Sequence, residues 1–172
     1  FISNLYWISL SLTFDKELSF LIPLAVILIP AFLALFYGFI TFFFIILKPR
    51  QIISSFLTFV LIFGILEFIR GSVLTGFPWN LIAFSFTKQL EILSIISLIG
   101  TYGFNLFCIS LFTSPAIFII KKNKKNISVC IFFLIATTFF YFHGLSLKEK
   151  FNKSVVENHE FKIRVLGSNI GL

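Results

Sequence analysis

Apolar residues in this chain fall into long uninterrupted runs separated by short charged breaks, without the strict alternation of a half-buried strand. Such runs occupy residues 1–14, 18–47, 52–69, 92–120 and 127–145. A helix needs about 20 apolar residues to cross a hydrocarbon layer of about 30 Å. The pattern therefore predicts about five membrane spans, the first of them incomplete. Pro23 and Pro30 lie early in the second run, so its first turn is expected to be interfacial or kinked. Between Gly71 and Glu91 the pattern breaks into Gly, Thr, Pro, Trp and Asn, which favours re-entrant or interfacial backbone. Beyond residue 145 the chain turns polar, with Lys148, Glu149, Lys150, Asn152 and Lys153, and residues 161–166 then alternate like a strand. The expected architecture is an all-α polytopic membrane bundle over residues 1–145. Residues 146–172 then form a linker and the first strand of a second, truncated α/β domain.

Composition strengthens the membrane reading. Hydrophobic residues make up 58% of the chain, 27 residues are Phe and only 12% are charged. The mean hydropathy of +1.03 excludes an ordinary water-soluble fold, so the apolar surplus must face lipid. The net charge of +7 does not indicate nucleic acid, because the cations cap apolar runs and form no basic face. Lys48-Pro49-Arg50 and Lys121-Lys122-Asn123-Lys124-Lys125 read as two cytoplasmic turns separated by two spans. That assignment places the loop at residues 71–91, and everything after residue 145, on the opposite face. No Met occurs, even at position 1, and Phe1 opens within an apolar run, so the start of the protein is expected upstream.

The densest local signal is Glu67-Phe68-Ile69-Arg70-Gly71 followed by Thr75-Gly76-Phe77-Pro78-Trp79-Asn80. A carboxylate in or near hydrocarbon requires a partner, and Arg70 is the nearest on the same helical face. Two readings stay open. In one, Glu67 and Arg70 are an interfacial ion pair anchoring the helix end, with Trp79 in the aromatic belt. In the other they line a polar entrance: Gly71 and Gly76 turn the backbone, Pro78 fixes it, and Trp79 and Asn80 meet lipid headgroups. Cys108 and Cys130 sit in apolar runs and do not form a CxxC pair, and His143 and His159 have no ligand set around them. No metal or cofactor is expected, and no GxSxG elbow supports a serine hydrolase.

The run Glu67-x-x-Arg70-Gly71-x-x-x-Thr75-Gly76-Phe77-Pro78-Trp79-Asn80-Leu81 resembles the signature of the bacterial apolipoprotein N-acyltransferase family. Leu5-Tyr6-Trp7-Ile8-Ser9, Ile22-Pro23 with Pro30 to Phe36, and Gly100-Thr101-Tyr102-Gly103-Phe104 resemble further stretches of it. The segment from Phe161 to Ile170 resembles the first strand of the family's nitrilase-like domain, although Gly167 and Ser168 replace the usual Gln and Pro. The resemblance implies an inner-membrane enzyme with its C-terminal part in the periplasm. It implies transfer of an acyl chain from a phospholipid to the N-terminal cysteine amine of a diacylated apolipoprotein. The reaction passes through a thioester on a Cys assisted by Glu and Lys, and these three are expected beyond Leu172, leaving no catalytic residue within the chain. Its implied partners are the phospholipid donor, the apolipoprotein acceptor and membrane lipids. A polytopic transporter or channel is the alternative, since intramembrane charge and a broken helix also suit a substrate pathway. An inactive gene fragment is another.

Overall fold

Backbone geometry decides how far each apolar run becomes helix. The computed structural model describes Trp7, residues 9–14, Glu17, residues 19–73, Gly76 and residues 78–154. Short 3-10 turns at Leu10–Thr13 and Ser19–Leu21 precede α1 (Ile22–Leu47), which is followed by α2 (Ile52–Ser72). A 3-10 helix at Ile82–Phe86 and the one-turn α3 (Leu90–Leu93) lead into α4 (Ile96–Ile120) and α5 (Lys124–Lys153). Among the described residues, four helices are long and apolar enough to cross a membrane: α1, α2, α4 and α5. No strand occurs among the described residues. The expected strand at residues 161–166, and with it the start of a nitrilase-like domain, lies outside them, as do residues 1–6 of the expected first span.

These helices are apolar on nearly every face, the composition of a segment surrounded by lipid and other helices. Phe32, Leu35, Phe39, Phe42, Phe132 and Phe139 are exposed on the outside of the bundle. Inside, α1 packs on α2, α2 on α4, α4 on α5, and α3 on α5. Two clusters fill the interior. One, around Leu81, Ala83, Ile92, Phe104 and Cys108, seats the loop between α2 and α4. The other, around Phe56, Val60, Ile109 and Ile117, joins α2 and α4 nearer the basic turns. Small residues set the closest approaches, as is usual between membrane helices. A Cβ on Gly64 would overlap the Leu106 side chain, and one on Gly144 would overlap the Glu91 carbonyl.

Two boundaries differ from the sequence reading, and the start of α1 agrees with it. The run at 92–120 is not one helix, because Gly100 adopts φ 72°, ψ 167° and interrupts it. Only glycine takes this conformation without strain, so α3 and the first turn of α4 break away from the long part of α4. At the other end, α5 does not stop where the polar residues begin but continues to Lys153. Lys and Glu are good helix formers, Glu149 faces Lys153 one turn on, and Lys148 pairs with Glu91 at 2.7 Å. Polarity there marks the edge of the apolar segment and leaves the helix intact. Finally, Pro23 sits in the first turn of α1, where its missing N–H costs nothing, while the helix runs through the buried Pro30 without ending.

Candidate functional site

The last two turns of α2 carry the two charged side chains of the motif, and both are withdrawn from the surface. Arg70 and Glu67 have side chains 0% and 1% exposed. The Arg70 Nη2 donates to Glu67 Oε2 at 2.9 Å. From α1, the Tyr37 hydroxyl donates to the other carboxylate oxygen, Oε1, at 2.8 Å. Arg70 Nη1 reaches forward and donates to the backbone carbonyl of Trp79 at 2.9 Å. A continuous chain of hydrogen bonds thus runs from α1 through α2 into the loop. Taking two charges out of water costs several kcal/mol per ion, and only close pairing with extra hydrogen bonds offsets that. Here Tyr37 and the Trp79 carbonyl provide such bonds.

The loop is shaped to deliver that carbonyl. Val73 N–H closes the helix on Ile69 O at 2.8 Å, and Gly76 N–H returns to Val73 O at 3.0 Å. Gly76 has φ 74° and Asn80 has φ 60°, both left-handed. Asn is among the few side-chain-bearing residues that enter this region readily. Pro78, Trp79 and Asn80 are exposed, and the Trp79 ring meets the exposed Trp7 ring edge-on at 6.0 Å between centroids. Just beyond, Leu81 and Ala83 turn inward, and Ala83 N–H donates to the buried Asn105 Oδ1 of α4 at 3.0 Å. The loop is thereby held at two points, by Arg70 from α2 and by Asn105 from α4.

Gly71 differs from the turn residue that its type suggests. It is helical, and its missing side chain makes room for Tyr102, whose hydroxyl a Cβ would overlap. The Tyr102 ring in turn lies edge-on to Phe68 at 5.1 Å. Thr75 and Phe77, also in the motif, lie outside the described residues. The structure therefore brings together Glu67, Arg70, Gly71, Gly76 and the Trp79–Asn80 turn. It also adds Tyr37, Tyr102 and Asn105, to which the sequence reading gave no part in the site. A polar group isolated in an apolar run was the available signal for Tyr37 and Asn105. Neither Cys joins the site, since Cys108 is buried in the α4 core and Cys130 Sγ donates to Ser114 O.

Residues 1–112 match the family model described as the apolipoprotein N-acyltransferase N-terminal domain. The chain belongs to the apolipoprotein N-acyltransferase family. It is 36% identical over 120 residues to an apolipoprotein N-acyltransferase of Rhodopseudomonas palustris, a match covering 69% of this chain and 22% of that protein. It is 34% identical over 118 residues to one from Brucella melitensis, with 68% and 22% covered. A protein of the same name from Rhizobium etli is 30% identical over 132 residues, with 73% and 24% covered. The chain thus spans about a fifth to a quarter of the length of the curated relatives it matches. No solved structure matches it. The N-acyltransferase match takes in every member of the hydrogen-bonded chain, from Tyr37 to Trp79, together with Asn105. Membership in an acyltransferase family sets aside the transporter alternative.

Chemically, this part of the chain is a clamp. Both carboxylate oxygens of Glu67 accept strong hydrogen bonds, one from a guanidinium and one from a phenol. The arrangement fixes a loop that carries exposed aromatic rings.

Proposed function

We propose that this chain is the membrane portion of an apolipoprotein N-acyltransferase, which moves an acyl chain from a phospholipid to the N-terminal cysteine amine of a diacylated apolipoprotein. The observation that carries the reading is that the family match over residues 1–112 encloses the clamped loop from Glu67 to Asn80. In this reading the clamp holds Trp79 and its neighbour Trp7 where lipid headgroups and hydrocarbon meet, the position that amphipathic rings favour. The phospholipid donor is positioned there and gives up one acyl chain to a Cys of a nitrilase-like catalytic domain as a thioester, leaving a lysophospholipid, and the apolipoprotein amine then takes the chain and frees the thiol. The Cys, Glu and Lys of that domain belong to the portion of the family that follows this chain. The bundle sits in the bacterial inner membrane, with the basic turns in the cytoplasm. The clamped loop and the residues after α5 then share the periplasmic face. Residues 1–145 form the membrane domain, and residues 146–172 lead into the catalytic one.

The test is acyl transfer from phospholipid to a diacylated lipopeptide by the full-length protein in proteoliposomes, run beside a solute-uptake assay. Transfer is expected, and Glu67→Gln or Trp79→Ala should reduce it far more than they reduce membrane insertion. Equal loss of transfer and insertion would reduce the clamp to an anchor. Absence of transfer from an intact full-length protein would refute the enzymatic assignment. Placement of Trp79 and His159 on opposite sides of the bilayer by cysteine labelling would refute the shared-face arrangement.

A further inference from the structure

The end of the bundle away from Glu67 and Trp79 has its own built feature. An apolar groove of about 450 Å³ runs between the ends of α1, α2 and α4, lined by Phe44, Phe56, Phe59, Ala116 and Ile120 among others. Lys48 and Arg50 stand in the same lining. A second, polar crevice of about 460 Å³ lies where the two basic turns meet, lined by Arg50, Lys121 and Lys125 with Gln51, Asn123 and Asn126. Arg50 and Ile52 line both, so groove and crevice adjoin. Among the described residues, no carboxylate lines either one.

We propose that this adjoining pair of cavities binds one anionic phospholipid, with its phosphate among Arg50, Lys121 and Lys125 and an acyl chain in the groove beside Phe56 and Ala116. The ligand's two halves match the site's two halves. Arg presents a planar fork of donors to phosphate oxygens, and the lysines add point charges with no competing acid in the lining. A free inorganic anion would use the crevice and leave the groove empty. A zwitterionic lipid would fill the groove and leave the cations without net compensation. Topology alone asks only for cations near the membrane edge. Here cations from two separate turns converge on one crevice. The buried Asn126 helps hold that convergence, its amide donating to Ile117 O at 3.1 Å and Lys121 O at 2.7 Å and so tying the start of α5 to the end of α4. The proposal is independent of the acyl-transfer reading, because it concerns the opposite end of the bundle.

The test is native mass spectrometry of the purified full-length protein with equimolar phosphatidylglycerol and phosphatidylcholine of matched acyl chains. Phosphatidylglycerol should be retained in preference by on the order of tenfold, the scale expected when several juxtamembrane cations act together. The double variant Arg50→Gln with Lys125→Gln should abolish that preference. Lys122→Gln with Lys124→Gln removes the same charge from residues outside both linings and should preserve it. Ala116→Trp keeps every charge, fills the groove, and should also lower retention, which keeps the proposal falsifiable if the charge variants insert poorly. Equal retention of the two lipids would identify an unselective lipid shell and overturn the proposal. Equal effects of the two charge doubles would overturn it too, by showing a diffuse surface field. Displacement of the lipid by inorganic phosphate, or full retention in Ala116→Trp, would likewise overturn it, leaving a soluble-anion site in the first case and no groove contribution in the second.

Discussion

Replacing Arg70 by Met removes a buried guanidinium and leaves the Glu67 carboxylate, 1% exposed, with the Tyr37 hydroxyl still donating to it at 2.8 Å. Breaking one side of a buried ion pair costs about 3–5 kcal/mol, because the surviving charge stays buried without compensation. At about 1.4 kcal/mol per factor of ten, that is two to four orders of magnitude in the folding equilibrium. Replacing both members, Glu67→Leu with Arg70→Met, removes the stranded charge. The double variant should therefore be more stable than Arg70→Met alone. Arg70→Lys should fall between, since a single ammonium restores the charge but cannot bind carboxylate and Trp79 carbonyl with a rigid fork. The assay is reversible unfolding in bicelles by steric trapping, read as a double-mutant cycle. An Arg70→Met loss within about 1 kcal/mol, the range of a solvent-exposed pair, would refute the buried clamp. So would strict additivity of the two single substitutions, which would show that the side chains are not coupled.

Three further outcomes follow from the packing and the loop. Gly144→Ala should destabilise by about 1–3 kcal/mol, the cost of overpacking, because its Cβ would meet the Glu91 backbone carbonyl and force α3 off α5; hydrogen exchange at residues 90–93 should rise with it. Asn80→Val should cost about 1–2 kcal/mol by placing a β-branched residue at φ 60°, while Asn80→Gly should be close to neutral; a thermal-melt series in detergent compares them. The hydrogen bond from Lys148 holds the Glu91 carboxyl below the usual carboxylate range. Its contribution to stability is therefore present above the ordinary carboxylate value and lost as pH falls through the depressed one. In Lys148→Gln the Glu91 titration followed by carboxyl NMR should move up toward the ordinary value, and an unchanged titration would show that Lys148 does not set it.

What the sequence revealed and what it concealed differ by physical scale. Span positions were legible because the hydrocarbon thickness imposes a length on every apolar run, and α1 and α2 begin within a few residues of the runs that predict them. Helix ends were less legible, because hydropathy reports where lipid stops and not where hydrogen bonding stops. The charged residues from Lys148 onward left the apolar segment without leaving α5, and one glycine, Gly100, divided a run that hydropathy shows as continuous. The Glu67–Arg70 pair was readable from its spacing of three on one helix, since that interaction is local.

The rest of the clamp is non-local and could not be read in the same way. Tyr37 lies 30 residues before Glu67, and Asn105 lies 22 residues after Ala83, so each meets its partner only once the helices have packed. That distinction changes what Glu67 means. Read alone, an acid in hydrocarbon invites a chemical role, because ionisable residues within a membrane span commonly mark substrate pathways. With one oxygen bound to Arg70 and the other to Tyr37, its strong acceptor positions are engaged in joining α1, α2 and the loop. An apolar side chain at this position would avoid the desolvation cost but could not align Arg70 on the Trp79 carbonyl. The pair is thus better understood as the device that sets the loop's position, and Glu67 as a positioning residue for whatever meets the exposed face of Trp79.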